Sequence, residues 1–532
     1  MLGKRLFRDT RFGHFYALNS NGDVNATLRS GEPLVASEVN ASGSPPTLPD
    51  PMRGTAVNCM QCHLGTQDAN VPGGGARAFT DFATRSPVPS RFDDLAQESL
   101  APRNAATIVD SALHGDVDLA LDGDGEYGAL QTLVAETLTG REFGWLATEQ
   151  SQAQHQVAQV VRGDNGKNSL ATDLSGGATY RELFECSKQV PPQYQLPRQY
   201  CLAVATASDA DIVNDVAAVM SSYLDGLHFA KDGSGLYTGS PYDQFLIANG
   251  LPRSPAAGQT PVEYGAALLQ KLQALSNPKF IDKGNFKYHD QRPFVFGANE
   301  LQGLMVFLRR PKGSVISDHE ADHGGIGDCV ACHAPPDFTD FRMHNNGAAQ
   351  SEYEDVNGAG SFANLQIPDL ATRDFDPDSY LPVTPQHPFA QEPFRKPADA
   401  SNPDQADLGV WNIFGNPDFP SRQASLRKFL CAIDTGQYAT CSTSDSDLLD
   451  RSIGVFRTHA LRDLGDSGPY MHNGHFGTLA DVVLFYQQAG LSARQGTLLN
   501  PDPQMQNIAL GDRDLSNLAL FLQSLDEDYQ EP

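Results

Sequence analysis

Two pentapeptides concentrate the reactive side chains of this sequence: Cys59-Met-Gln-Cys62-His63 and Cys329-Val-Ala-Cys332-His333. The chain holds 8 cysteines and 14 histidines. At that composition a C-x-x-C-H match arises by chance about 0.003 times per chain. Two matches therefore carry information. The pattern is that of c-type haem attachment: two thiols three residues apart both reach a porphyrin edge, and the adjacent histidine becomes the proximal iron ligand. A thioredoxin-like pair has no reason to be followed by histidine twice. A zinc site needs partner ligands at short spacing, and the two copies are far apart in the chain.

Covalent haem implies an exported, oxidising compartment. The other four cysteines agree, because Cys186/Cys201 and Cys431/Cys441 each bracket a short loop, as structural disulfides of exported proteins do. The opening Met1-Leu-Gly-Lys-Arg has no apolar run behind its positive charges, so no signal peptide is expected within this chain. No run of apolar residues is long enough to span a bilayer. Among 532 residues, Lys+Arg is 38 and Asp+Glu is 65, a formal charge of −27. That balance excludes a nucleic-acid binder held by phosphate neutralisation and disfavours an anionic membrane surface. Hydrophobic residues make up 40%, enough for real cores, and the length suggests several domains.

The elements that must position these residues fall into two similar halves. A short helical pattern, Leu2–Phe7, precedes the first motif. A second, with Leu301, Leu304, Phe307 and Leu308 in phase and Asn299 as its N-cap, precedes the other. Each half then carries an Arg-Asn or Arg-Asp pair and a helix: Arg103-Asn104 with one near Leu130–Leu138, and Arg462-Asp463 with one near Leu479–Tyr486. Between them, Asp211–Leu224 has helical periodicity, capped by Ser208 or Asp209, and Asp512–Leu525 closes the chain in the same way. The stretches 18–56, 232–262 and 374–422 read as loops or insertions. The expected fold is mainly α, two tandem cytochrome c-like domains with long irregular loops, divided into 1–295 and 296–532.

Several segments resemble the bacterial dihaem cytochrome c peroxidase and MauG family. Leu2-Gly-Lys-Arg-Leu6-Phe7 is similar to its opening helix, and Ala101-Pro102-Arg103-Asn104 to its Pro-Arg-Asn turn. Thr139-Gly-Arg-Glu142-Phe-Gly resembles its catalytic glutamate segment. Cys329 through Asp340, followed by Met343-His344-Asn345, resembles its second haem segment. The most specific likeness is Leu461 through Tyr486, containing Pro469-Tyr470-Met471-His472-Asn473-Gly474. The resemblance implies two covalently bound haem c groups. The N-terminal haem activates hydrogen peroxide through high-valent iron, and the C-terminal haem relays electrons.

It also implies roles for particular residues. His63 and His333 are proximal ligands. Glu142 is the acid–base group at the peroxide site. Many members close the N-terminal haem with a distal histidine before the Pro-Arg-Asn turn. The stretch from Leu64 to Pro102 holds none, so this haem is expected to be open, with His114 a poorly aligned substitute. Fourteen residues after His472, where some members place methionine and others tyrosine, stands Tyr486, the expected sixth ligand of the C-terminal haem. Met471 and Met505 are its rivals. Leu121 stands where members place an inter-haem tryptophan. The family's calcium would be held by Asn104 and the carbonyls of Ser467 and Pro469.

The implied function is an exported, periplasmic dihaem peroxidase, reducing hydrogen peroxide to water with electrons from a small cytochrome or cupredoxin. Two alternatives stand beside it: a MauG-like enzyme oxidising side chains of a partner protein, and a non-enzymatic dihaem electron-transfer cytochrome.

Overall fold

The computed structural model describes residues 1–26, 58–59, 63, 103–104, 106–282 and 294–527. Cys62 and the stretch 64–102 lie outside the described residues. The chain is mainly α-helical, and the one sheet among the described residues pairs β1 (Met343–His344) antiparallel with β2 (Phe456–Arg457).

The N-terminal core forms around α4 (Asp209–Leu224). Against it pack α1 (Leu2–Arg8), α2 (Leu130–Thr139) and α3 (Gln150–Gly163). Helix α4 starts where Ser208 accepts from the Asp211 N–H and the Asp211 carboxylate accepts from the Ser208 N–H, satisfying two amides that the first turn leaves unpaired. Its Ile212, Val216, Val219, Met220 and Tyr223 are buried, as their spacing predicts. The expected core stripe is real.

The C-terminal core repeats the plan. Helix α7 (Ala298–Leu308) lies against α9 (Asp512–Gln523), and α8 (Leu479–Gln495) packs on α9 as well. A glycine makes the first-to-last helix crossing possible in each half. A Cβ on Gly3 would lie 2.4 Å from the Tyr223 Cβ, and one on Gly303 would lie 2.0 Å from the Asn517 carbonyl. Neither position has room for any side chain. Helix α7 begins two residues earlier than expected. Its N-cap is Gly297, whose N–H donates 2.8 Å to the Glu300 carboxylate, so Asn299 is already inside the helix.

Two helices before residue 296 also join this second core: α5 (Pro241–Ala248) and α6 (Pro261–Gln273) bury Tyr242, Phe245, Leu246, Tyr264 and Leu268 there beside Phe296 and Leu304. Apolar packing therefore separates the two cores near residue 240, ahead of the 295/296 division drawn from the sequence. The aromatic residues of 241–273 find their partners only in three dimensions.

A third core gathers Val117 and Ala120 with residues from 343 to 455, including Phe394, Trp411, Phe429 and Leu430. Part of this segment read as loop; it has its own buried centre, organised by 3₁₀ turns at Pro393–Arg395 and Val410–Asn412 and by a helix, Gln423–Thr435. The two disulfides form as expected: Cys186–Cys201 and Cys431–Cys441.

Candidate functional site

In each pentapeptide the first cysteine and the histidine are joined by one backbone hydrogen bond. The His63 N–H donates 2.9 Å to the Cys59 carbonyl, and the His333 N–H donates 2.7 Å to the Cys329 carbonyl. A four-residue closure of this kind puts the first cysteine and the histidine on one side of the turn. The two imidazoles are also held alike. His63 Nδ1 lies 2.9 Å from the Ala106 carbonyl, and His333 Nδ1 lies 3.1 Å from the Phe338 carbonyl. A carbonyl can only accept, so Nδ1 carries the proton and Nε2 keeps its lone pair, the arrangement of an iron-ligating histidine. Burial also keeps His333 below its usual pKa and hence neutral. Burial pushes the Cys329 and Cys332 thiols up to about 12 and about 11. Neither thiol is poised as a free thiolate.

A cavity of about 980 Å³ adjoins the first motif, lined by Cys59, His63, Asn104, Leu121, Tyr127 and Glu142 among others. That is the upper end of cofactor-sized pockets. The residues present at His63 therefore fit a haem by tautomer and by space.

Glu142 stands in the 3₁₀ turn Arg141–Phe143, directly after α2. Its carboxyl is open to the cavity but otherwise enclosed by protein, and that enclosure raises its pKa against the pull of Arg141. Arg141 is engaged elsewhere: its fork meets both Glu392 oxygens at 3.0 Å. Among the described residues Glu142 thus has a neighbouring cation but no dedicated ion pair, which leaves its carboxyl free to exchange protons.

Leu121 lines the cavity and pairs with Tyr127 in an isolated bridge. Asp122, Asp124 and Glu126 between them hold carboxylate oxygens within 4.8 Å of one another. This is not an open cation site. Arg395 pairs with Asp122 at 2.9 Å and with Glu126, and Arg103 reaches Asp124 at 2.5 Å and Asp407 at 2.7 Å. The cluster is a latch joining the Arg103 turn to the third core. His114 does not line the cavity; it is exposed, with Nδ1 2.7 Å from the Val117 carbonyl. Two other imidazoles do, His459 and His472, both from the C-terminal half. Burial drives His459 down to about 4, so it is a neutral wall of the cavity.

Asn104, expected to bind calcium with Ser467 and Pro469, adjoins the segment that carries them. Its N–H donates 2.6 Å to the His472 carbonyl, its side-chain amide meets the Pro469 carbonyl, and its buried Oδ1 has no partner among the described residues. An orphaned amide oxygen beside a carbonyl suits a hard cation, since the amide can be turned to present oxygen. Ser467, the third expected ligand, is partly buried in the same turn.

At the second motif, Tyr486 is enclosed, and burial pushes its phenol up to about 12. Its hydroxyl accepts 3.1 Å from the Asn346 amide, and it lies within electrostatic range of Cys329 and Cys332. The rival Met505 is buried in the core, and Met471 packs against that core from a left-handed turn. His344, beside Cys332, bridges Asp340 at 2.9 Å and Asp502 at 2.6 Å. Sequence reasoning did not single out Tyr127, Arg395 or His459 for this site. They come from distant segments, and no local spacing marks them.

No family model matches the chain. It is 26% identical over 214 residues to cytochrome-c peroxidase IdrP2 of Pseudomonas sp. (strain SCT), covering 39% of this chain and 40% of that protein. It is 39% identical over 72 residues to methylamine utilization protein MauG of Methylophilus methylotrophus, covering 14% and 20%. The matched stretches thus span two fifths or less of these relatives. A crystal structure of a MauG-like protein associated with microbial copper homeostasis aligns over 99% of this chain and 89% of its own, at 15% identity and TM-score 0.40. By sequence, the chain is a relative of the cytochrome-c peroxidases and of MauG.

Proposed function

We propose that the chain is an exported dihaem oxidoreductase that reduces hydrogen peroxide to water with electrons from a small redox protein. The observation that carries this reading is Glu142, a carboxyl of raised pKa facing the same cavity as His63. Haem held by Cys59, Cys62 and His63 would supply the iron at which peroxide is bound and reduced, and haem held by Cys329, Cys332 and His333 would pass electrons to it. The protein's own part is proton handling. Glu142 takes the proton from the near oxygen of peroxide and returns it to the departing one, so that water rather than hydroxide leaves. Arg141, fixed by Glu392, keeps a positive charge near the carboxylate form without capturing it. Asn104 with the Pro469 and Ser467 carbonyls would hold calcium between the two halves. The two disulfides support an oxidising compartment such as the periplasm.

The enclosed phenol of Tyr486 near Cys329 and Cys332 favours a second reading, oxidation of a partner protein's side chain, as a MauG-like enzyme would perform it. An oxygen ligand at the second haem would lower its reduction potential. One experiment separates the readings. The holoprotein is given peroxide with reduced cytochrome c, and donor oxidation is followed. Rapid turnover, slowed by Glu142→Gln, supports the peroxidase; a wild-type protein that reacts with peroxide but ignores the donor supports the second.

A further inference from the structure

We infer that Arg457 binds a propionate of the haem held at Cys59 and His63, so that a cation from the C-terminal half fixes the cofactor of the N-terminal half; this rests on the haem reading of the first motif above. Among the described residues, five arginines line the cavity that His63 faces: Arg103, Arg141, Arg395, Arg422 and Arg457. The first three are spent on carboxylates, Arg103 on Asp124 and Asp407, Arg141 on Glu392, and Arg395 on Asp122 and Glu126. Arg422 donates 2.7 Å to the Gly125 carbonyl and 3.0 Å to the Leu119 carbonyl. Arg457 is different. Its Nη2 donates 2.9 Å to the Leu113 carbonyl, its Nε is buried with no acceptor, and no carboxylate among the described residues pairs with it.

The position of this cation is set by backbone contacts. Arg457 pairs with Met343 across β1 and β2, and its N–H donates 2.6 Å to the carbonyl of Gly123, itself part of the cavity wall. Leu113 and Gly123 both belong to the N-terminal half, so strand β2 delivers a C-terminal side chain to the N-terminal cavity.

The guanidinium opens on the cavity and is otherwise enclosed. Burial, with no carboxylate to offset it, brings it down to about 10. Enclosing a cation without counter-charge is costly, so the anion belongs to what fills the cavity. Hydrogen peroxide is neutral. Haem carries two propionates, and a carboxylate matches the planar donor edge of a guanidinium. Glu142 does not take this place, because the cations that act on it are Arg141 and Arg395. The group that moves protons and the cation that holds the propionate are therefore separate.

The test is a redox titration of haem-loaded protein followed by electron paramagnetic resonance, which reads the two haems separately, together with resonance Raman spectra of the propionate bending modes. An unpaired propionate adds a negative charge near the iron and favours its oxidised form. Arg457→Gln keeps a donor for the Leu113 carbonyl and loses the charge. It should raise the oxidised-to-reduced ratio of the N-terminal haem about tenfold at a given potential, a fall of about 59 mV in its midpoint. The propionate mode of that haem should shift, and the C-terminal potential should stay in place. Arg457→Lys keeps the charge and should restore most of the loss, a rescue that a purely structural role would not give. An unchanged N-terminal potential in Arg457→Gln overturns the inference, as does a shift confined to the C-terminal haem or an equal loss in both variants. A wild-type potential that follows chloride concentration, and ceases to in Arg457→Gln, puts a solvent anion at this guanidinium and overturns it too. Mass spectrometry of haem peptides separates this claim from the one beneath it. A wild-type protein without haem at the first motif overturns both, whereas haem at both motifs with an unmoved potential overturns the pairing alone.

Discussion

Replacing Glu142 by glutamine should separate activity from stability, because its two effects have opposite sign. For activity, loss of a positioned acid–base group slows proton transfer by about 10²–10⁴-fold. At about 1.36 kcal/mol per tenfold, that is roughly 2.7–5.4 kcal/mol of barrier. The structure offers no substitute at the same turn, since Arg141 is locked to both oxygens of Glu392. For stability, burial raises the Glu142 pKa in the folded state. A carboxyl raised by burial is penalised when ionised: the cost is absent below the unfolded pKa and full above the folded one. Glutamine removes that cost, so at neutral pH the variant should melt at or above the wild-type temperature, the difference vanishing towards pH 4. Wild-type turnover should also fall as pH drops through the raised pKa, because the carboxylate is the form that accepts the first proton. The assays are stopped-flow peroxide consumption and thermal unfolding across pH at matched haem content. A variant that keeps wild-type peroxide kinetics, or loses activity only in proportion to a lower melting temperature, refutes the assignment.

Three further outcomes follow from other contacts. Arg103→Met strands the buried carboxylate of Asp407 and leaves Asp124 only the more distant Arg395, and should destabilise the protein by about 3–5 kcal/mol; a double-mutant cycle with Asp407→Asn, read by urea unfolding, should show strong coupling. Against the cost of burial, the Asp340 and Asp502 carboxylates hold His344 well above its ordinary pKa. Its contribution is therefore complete below the unfolded histidine pKa and lost as pH rises through the folded value, so the deficit of His344→Gln should shrink in alkaline unfolding experiments. Tyr486→Phe leaves the Asn346 amide without its acceptor at a cost of about 1 kcal/mol; if Tyr486 is the sixth ligand, the electron paramagnetic resonance spectrum of the C-terminal haem should change while that of the N-terminal haem does not.

Chemistry that depends on local spacing was legible from the sequence. Cys59/His63 and Cys329/His333 are each joined by one backbone hydrogen bond across four residues, so five residues suffice to define them. The α4 stripe and its Ser208 cap are equally local, as is each disulfide that closes a short loop. Glu142 and Tyr486 were named through resemblance, and the tertiary structure supplied the enclosure that raises their pKa values. Other features depended on tertiary structure altogether. Arg103 meets Asp407 and Arg141 meets Glu392 across hundreds of residues. The helices 241–273 take their place from apolar partners beyond residue 296, and a segment that read as loop carries a core around Trp411. Sequence periodicity reports which face of an element is apolar. It cannot report which distant face covers it, because that choice is made by packing and by the need to neutralise buried charge.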